Sequence, residues 1–327
     1  MQLRTVVNIE PSPLKITYAD PVIFIGSCFA ISIGAKLHEG RMKVLINPSG
    51  TVYNPVSVCN TLEAITGGKK FSAADLYNYD GVWLSFNHYT NFSSEDQQAV
   101  LSALNEKADE ASGFIASARF LFITFGTARV YRWKETGKIV SNCHKIPASL
   151  FTRELLEVRD IVDLWKPMLD RLGKFNPGLK TIFTISPVRH LKDGAHGNQV
   201  SKSVLFLAVE ELLKHPSNPG YFPAYEIFMD DLRDYRFYDE DMLHPSQAAV
   251  DYTWKAFTDC YFDGRTLGHW NEVSKITRAI SHRIQSKSAF GIRKFAENMI
   301  SRIDSVSNNI PSINLSAEKK YFESLLI

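Results

Sequence analysis

Apolar positions along the chain fall into two alternating patterns. Residues 21–25, 42–46, 120–125 and 180–185 are short, nearly continuous apolar runs rich in β-branched and aromatic side chains, the pattern of buried strands. Between them, apolar residues recur every three or four positions over 27–37, 56–65, 95–117, 152–172 and a stretch ending at Leu213, which predicts amphipathic helices. Residues 224–229 read as the last strand of the sheet. Strand followed by helix, repeated, is the signature of an α/β fold: a parallel sheet of about five strands in a three-layer α/β/α sandwich. A small hairpin, 131–133 with 138–140 across the turn at Glu135-Thr-Gly137, interrupts the alternation. Beyond Gly264 the pattern becomes wholly helical, over 271–284 and 292–306, with Ile292, Phe295, Met299, Ile303 and Val306 near one face. The chain therefore divides into a main domain, 1–264, and a helical C-terminal extension, 265–327.

The first strand runs into Gly26, which permits a sharp turn, and Ser27 opens the first helix. A small nucleophile held there would sit at the carboxyl end of the strand, where helix-start N–H groups face any developing negative charge. The plainer role for Ser27 is a helix cap. A second stretch favours chemistry: in Asp241-x-x-His244 the carboxylate is spaced to orient the imidazole through Nδ1, leaving Nε2 to take a proton from Ser27. Cys28 offers a thiol alternative with the same base, although its place one residue into the helix aims it differently. A metal site built from Asp241, His244, His144 and His190 lacks any recognisable ligand spacing.

Gly26-Ser27-Cys28-Phe29-Ala30 spells the signature of the GSCFA family, which is similar to the SGNH (GDSL-like) hydrolases. Those enzymes carry a nucleophilic Ser after the first strand and an Asp-x-x-His near the end of the domain. The resemblance spans roughly residues 15–262. It implies a flavodoxin-like strand order, a catalytic set of Ser27, His244 and Asp241, and an oxyanion pocket made by the N–H groups of Ser27 and Gly50. The third oxyanion donor of SGNH enzymes is an Asn in Gly-x-Asn-Asp; here the corresponding stretch reads Gly126-Thr-Ala, which leaves Thr127 or a donor from elsewhere, Asn142 among the candidates, to take its place. The implied activity is a serine-dependent ester hydrolase, acting on an acetylated carbohydrate or a small-molecule ester and needing no cofactor. An acyltransferase of the same fold and a non-catalytic carbohydrate- or partner-binding module are the alternatives.

Other residues suit substrate contact. The stretch from Tyr77 to Phe92 interleaves aromatic rings with polar partners, among them Trp83 and His88, and reads as a substrate wall. His144 follows Asn142 on a loop, while Arg189 and His190 lie just past the strand 180–185, the edge at which open α/β sheets bind ligands. Arg129 is a candidate contact for an anionic group. Net charge is +2, which excludes a protein dominated by nucleic-acid backbone binding. Four cysteines without a C-x-x-C pair fit a reducing compartment, and with no secretory signal at Met1-Gln-Leu-Arg and no membrane-spanning run the expected location is cytoplasmic. Lys275, Arg278, Arg283, Lys287, Arg293, Lys294 and Arg302 make the C-terminal helices basic. They suit packing on the domain or a second copy of the chain, with a membrane surface or acidic partner as the other option.

Overall fold

The structure, a computed structural model, describes residues 5–281 and 288–326. The leader Met1-Gln-Leu-Arg, Arg283, Lys287 and the end of the helix expected over 271–284 lie outside the described residues. In chain order the elements are β1 (Val22–Gly26), α1 (Cys28–Glu39), β2 (Val44–Ile46), α2 (Pro55–Thr66), β3 (Tyr77–Tyr79), β4 (Val82–Leu84), α3 (Gln97–Ser117) and β5 (Phe120–Phe125). Then come β6 (Arg129–Trp133), β7 (Ile139–Val140), β8 (Phe151–Leu155), α4 (Val158–Phe175), β9 (Lys180–Ile185), α5 (Gly194–Leu212), β10 (Gly220–Tyr221), α6 (Ala224–Glu226), α7 (Gln247–Tyr261), α8 (Gly264–Ser281), α9 (Ala289–Asn309) and α10 (Ser316–Ser324).

β10, β9, β5, β1 and β2 lie side by side in that order as a parallel sheet flanked by helices. Counted along the chain this is the order 2-1-3-4-5, the flavodoxin-like arrangement, and its switch point lies between β1 and β5. Both central strands are wholly buried, because each face is covered. On one face Ile23, Ile25, Leu121, Ile123 and Phe183 join Trp165 of α4 and Leu205 of α5 in the main core. On the other, Phe24 stacks on Phe122 with ring centroids 4.8 Å apart.

Two expected elements differ. Residues 224–229 are not a strand: α6 passes into a π-helical turn, Ile227–Asp231, and the last strand is β10. Ala224, Ile227, Phe228 and Leu232 are all buried, a helical spacing that a short apolar run conceals. The helix expected over 152–172 begins late, at Val158, where Glu157 and Asp160 form a capping box. The residues before it form β8, which pairs antiparallel with β6 and makes the β6–β7 hairpin a three-stranded sheet. That pairing supplies the ladder hydrogen bonds which helix propensity alone could not outweigh.

The described residues form two compact units: residues 5–8, 22–34 and 45–253, and residues 9–21, 35–44, 254–281 and 288–326. The second gathers earlier segments as well as the C-terminal helices. Within it, Trp270 Nε1 donates to Lys36 O (2.8 Å), and Arg41 Nε donates to Glu318 (2.7 Å), whose side chain is almost fully buried.

Candidate active site

Gly26 ends β1 with φ +140°, and a Cβ there would lie 2.2 Å from Thr124 O, so close strand approach requires glycine. Its N–H donates to Asn47 Oδ1 (2.8 Å). Asn47, itself at φ +45°, thereby ties the turn after β2 to the turn after β1. The Asn47 side chain has one group left over: Nδ2 is buried and, among the described residues, has no hydrogen-bond partner.

Ser27 stands at the switch point, beside Gly126 at the end of β5. Its residue is 2% exposed, and its hydroxyl oxygen is sealed from solvent without a hydrogen-bond partner among the described residues. Cys28, the first residue of α1, is only partly buried and lines an apolar pocket. Burial raises its thiol pKa, while the Lys202 charge pulls it down and Asp241 pushes it up.

The second motif closes as its spacing predicts: His244 Nδ1 and Asp241 Oδ2 are 2.5 Å apart. Asp241 Oδ1 also accepts the backbone N–H groups of His244 and Leu243, each at 2.9 Å. The His244 backbone bond, then the imidazole, hold the Asp241 carboxyl down at about 2, so it is an anion at any ordinary pH. Met242 between them takes φ +57°, a left-handed conformation that turns the loop back on itself. Both side chains are about half exposed. Pro245 lines the same pocket as Cys28, which brings the two motifs to one edge.

Lys202, on α5, is a residue the sequence did not flag. Its side chain is fully buried, and Nζ donates to Gly126 O (2.6 Å) and Ser186 O (2.5 Å), the carbonyls just past β5 and β9. Burial lowers its pKa to about 7. In its neutral form an amine has two N–H groups, and two carbonyls match them. His190 lies nearby: its ring meets Tyr53 edge-on at 6.0 Å, and burial, then Lys202 and Arg153, lower its pKa to about 4.

The remaining expected residues are engaged elsewhere. The Gly50 N–H donates to Asn47 O (2.8 Å), and the Thr127 N–H to Tyr53 O (3.0 Å), so neither is a free oxyanion donor. The Thr127 hydroxyl pairs with Ser201, and Asn142 Nδ2 donates to Thr90. The Ser27 N–H makes a long bond, 3.4 Å, to Thr124 O. His144 is bound to Ser85 O through Nε2, Arg189 is exposed against the Met229 sulfur, and Arg129 faces Asp193 at 3.9 Å.

The aromatic stretch is mostly packing. Trp83 packs against a small cluster of Phe71, Val100 and Leu104, while Tyr77 and Phe86 pack on Trp133. His88 is wedged between Phe71 and Phe92, and burial lowers its pKa to about 4. A cleft of about 590 Å³ remains beside these groups, bordered by Tyr77, Phe86, His88, Trp133, Asn60 and Asn87. Among the described residues, no group of three or more His, Cys, Asp or Glu could hold a metal ion, and no helix is long and apolar enough to cross a membrane.

The GSCFA family model matches residues 21–257, which include both motifs and the whole sheet. The chain belongs to the GSCFA family. A second model, the C-terminal domain of GSCFA domain proteins, matches residues 273–327. No match was found among curated proteins.

Proposed function

We propose that this GSCFA protein is an SGNH-like ester hydrolase that works through a covalent acyl-enzyme, with His244 as base. The observation that carries this reading is the Asp241–His244 pair, bonded at 2.5 Å on a loop whose next residue shares a pocket with the Ser27–Cys28 turn. His244 Nε2 takes the nucleophile's proton as its oxygen or sulfur bonds to the ester carbonyl carbon. The tetrahedral intermediate then collapses, and the alcohol leaves with the proton that His244 returns. Water repeats the sequence: its proton goes to His244, its oxygen bonds to the acyl carbon, and the nucleophile is released protonated. The unpaired amide of Asn47 is the donor best suited to the oxyanion. An alcohol accepting the acyl group in place of water makes the same site a transferase.

Ser27 is the nucleophile in the serine reading, which requires its sealed hydroxyl to turn outward. A thiol reading is favoured by one observation: Cys28, not Ser27, lines the pocket beside Pro245. Mapping the adduct left by a fluorophosphonate and by a slow acyl ester with peptide mass spectrometry decides between them. An adduct on Ser27 supports the first reading and one on Cys28 the second; no adduct on either defeats the covalent mechanism. The carbohydrate- or partner-binding alternative draws on the separate 590 Å³ cleft. Four free cysteines support a cytoplasmic, reducing location.

A further inference from the structure

Apart from Cys28 in the thiol reading, the lining of the apolar pocket that Cys28 shares with Pro245 has no role in the proton transfers above. Ile33 of α1, Val188 beyond β9, Phe228 of the π-helical turn and Val250 of α7 complete most of its wall. Two of its residues are chain neighbours of the reacting groups: Cys28 follows Ser27, and Pro245 follows His244. A carbonyl carbon attacked at the Ser27–Cys28 turn carries three substituents: an oxygen that becomes the oxyanion, a leaving alcohol, and an alkyl tail. An alkyl tail is the one that a mostly apolar wall would receive.

We propose that this pocket seats the acyl group of the substrate and restricts it to two or three carbons, an acetyl or propionyl ester. The size follows from the free volume, about 30 Å³. A single water-sized group needs roughly 10–15 Å³ of such space, so about two heavy atoms fit. A longer chain overfills a space whose lining includes Phe228 and Val250, and each methylene that a hydrophobic pocket admits or refuses changes the specificity constant about 10- to 200-fold. This assignment rests on the ester-hydrolase reading and names its substrate class.

The test is the chain-length profile of the intact protein on p-nitrophenyl acetate, propionate, butyrate and hexanoate. Wild type is expected to favour acetate or propionate over hexanoate by at least about tenfold in kcat/KM. Val250→Ala, which removes two methyl groups from the wall, should raise the butyrate-to-acetate ratio by about tenfold or more, and Val250→Phe should lower turnover of propionate more than that of acetate. Thermal melts of each variant separate a changed pocket from a damaged fold. Turnover of all four esters at similar rates, or a ratio that a folded Val250→Ala leaves unmoved, overturns the pocket assignment alone. Wild type that turns over none of them and forms no adduct at Ser27 or Cys28 overturns the hydrolase reading, and the assignment with it.

Discussion

Lys202 gives the fold a pH dependence that can be worked out in advance. An unfolded lysine titrates near 10.4, whereas burial lowers Lys202 to about 7 in the folded chain. Between these values the unfolded chain holds a proton that the folded chain does not, so stability rises with pH. At and below pH 7 the folded protein carries the penalty of a buried charge. From pH 7 to pH 9 the Lys202 contribution to stability is expected to grow by about 2 kcal/mol. His190 is lowered to about 4 and stays out of this window, but burial raises the thiols of Cys28, Cys59, Cys143 and Cys260 above their ordinary 9.0, so their ionisation in the unfolded chain opposes the gain as pH approaches 9. Urea unfolding of wild type and Lys202→Met at pH 7, 8 and 9 reads the effect. The variant leaves Gly126 O and Ser186 O without their donor, which costs about 1–3 kcal/mol for each carbonyl at every pH, so the slope and not the absolute stability is diagnostic. A slope from pH 7 to pH 9 that is the same in wild type and Lys202→Met refutes a Lys202 that loses its proton near neutrality.

Two further substitutions test the turn geometry. Gly26→Ala sets a Cβ against Thr124 O in a left-handed conformation and should cost about 3 kcal/mol or more, read as a fall in melting temperature; a variant as stable as wild type contradicts the close strand approach. Asn47→Asp keeps the acceptor for the Gly26 N–H and tolerates the positive φ while removing the unpaired donor. It should remain folded and lose about 100- to 1,000-fold in kcat on an ester substrate; unchanged turnover removes Asn47 from the oxyanion site.

What was legible in the sequence was local or periodic. The sheet strands β1, β5 and β9 and the helices around them follow from apolar runs, and the Asp241–His244 bond follows from a three-residue spacing on one loop. The misread elements were those decided by distant partners. β8 exists because β6 pairs with it, and the helical turn at Ala224–Asp231 has too few residues for its period to stand apart from that of a buried strand. The site shows the same division. Lys202 reaches carbonyls 76 and 16 residues away, and nothing around it in sequence marks it as buried. Asn47 is joined to Gly26 across 21 residues; its only local signal was the turn Asn47-Pro-Ser-Gly50. The donors expected at Gly50, Thr127 and Asn142 are engaged by Asn47 O, Tyr53 O and Thr90, contacts that no spacing along the chain reveals.

The most direct measurement is hydrolysis of p-nitrophenyl acetate by wild type, Ser27→Ala, Cys28→Ala and His244→Ala. Turnover that falls at least about a hundredfold in His244→Ala and in one of the two turn variants, while the other stays active, is the predicted result. Equal rates in all four proteins would contradict an acyl-enzyme at this turn.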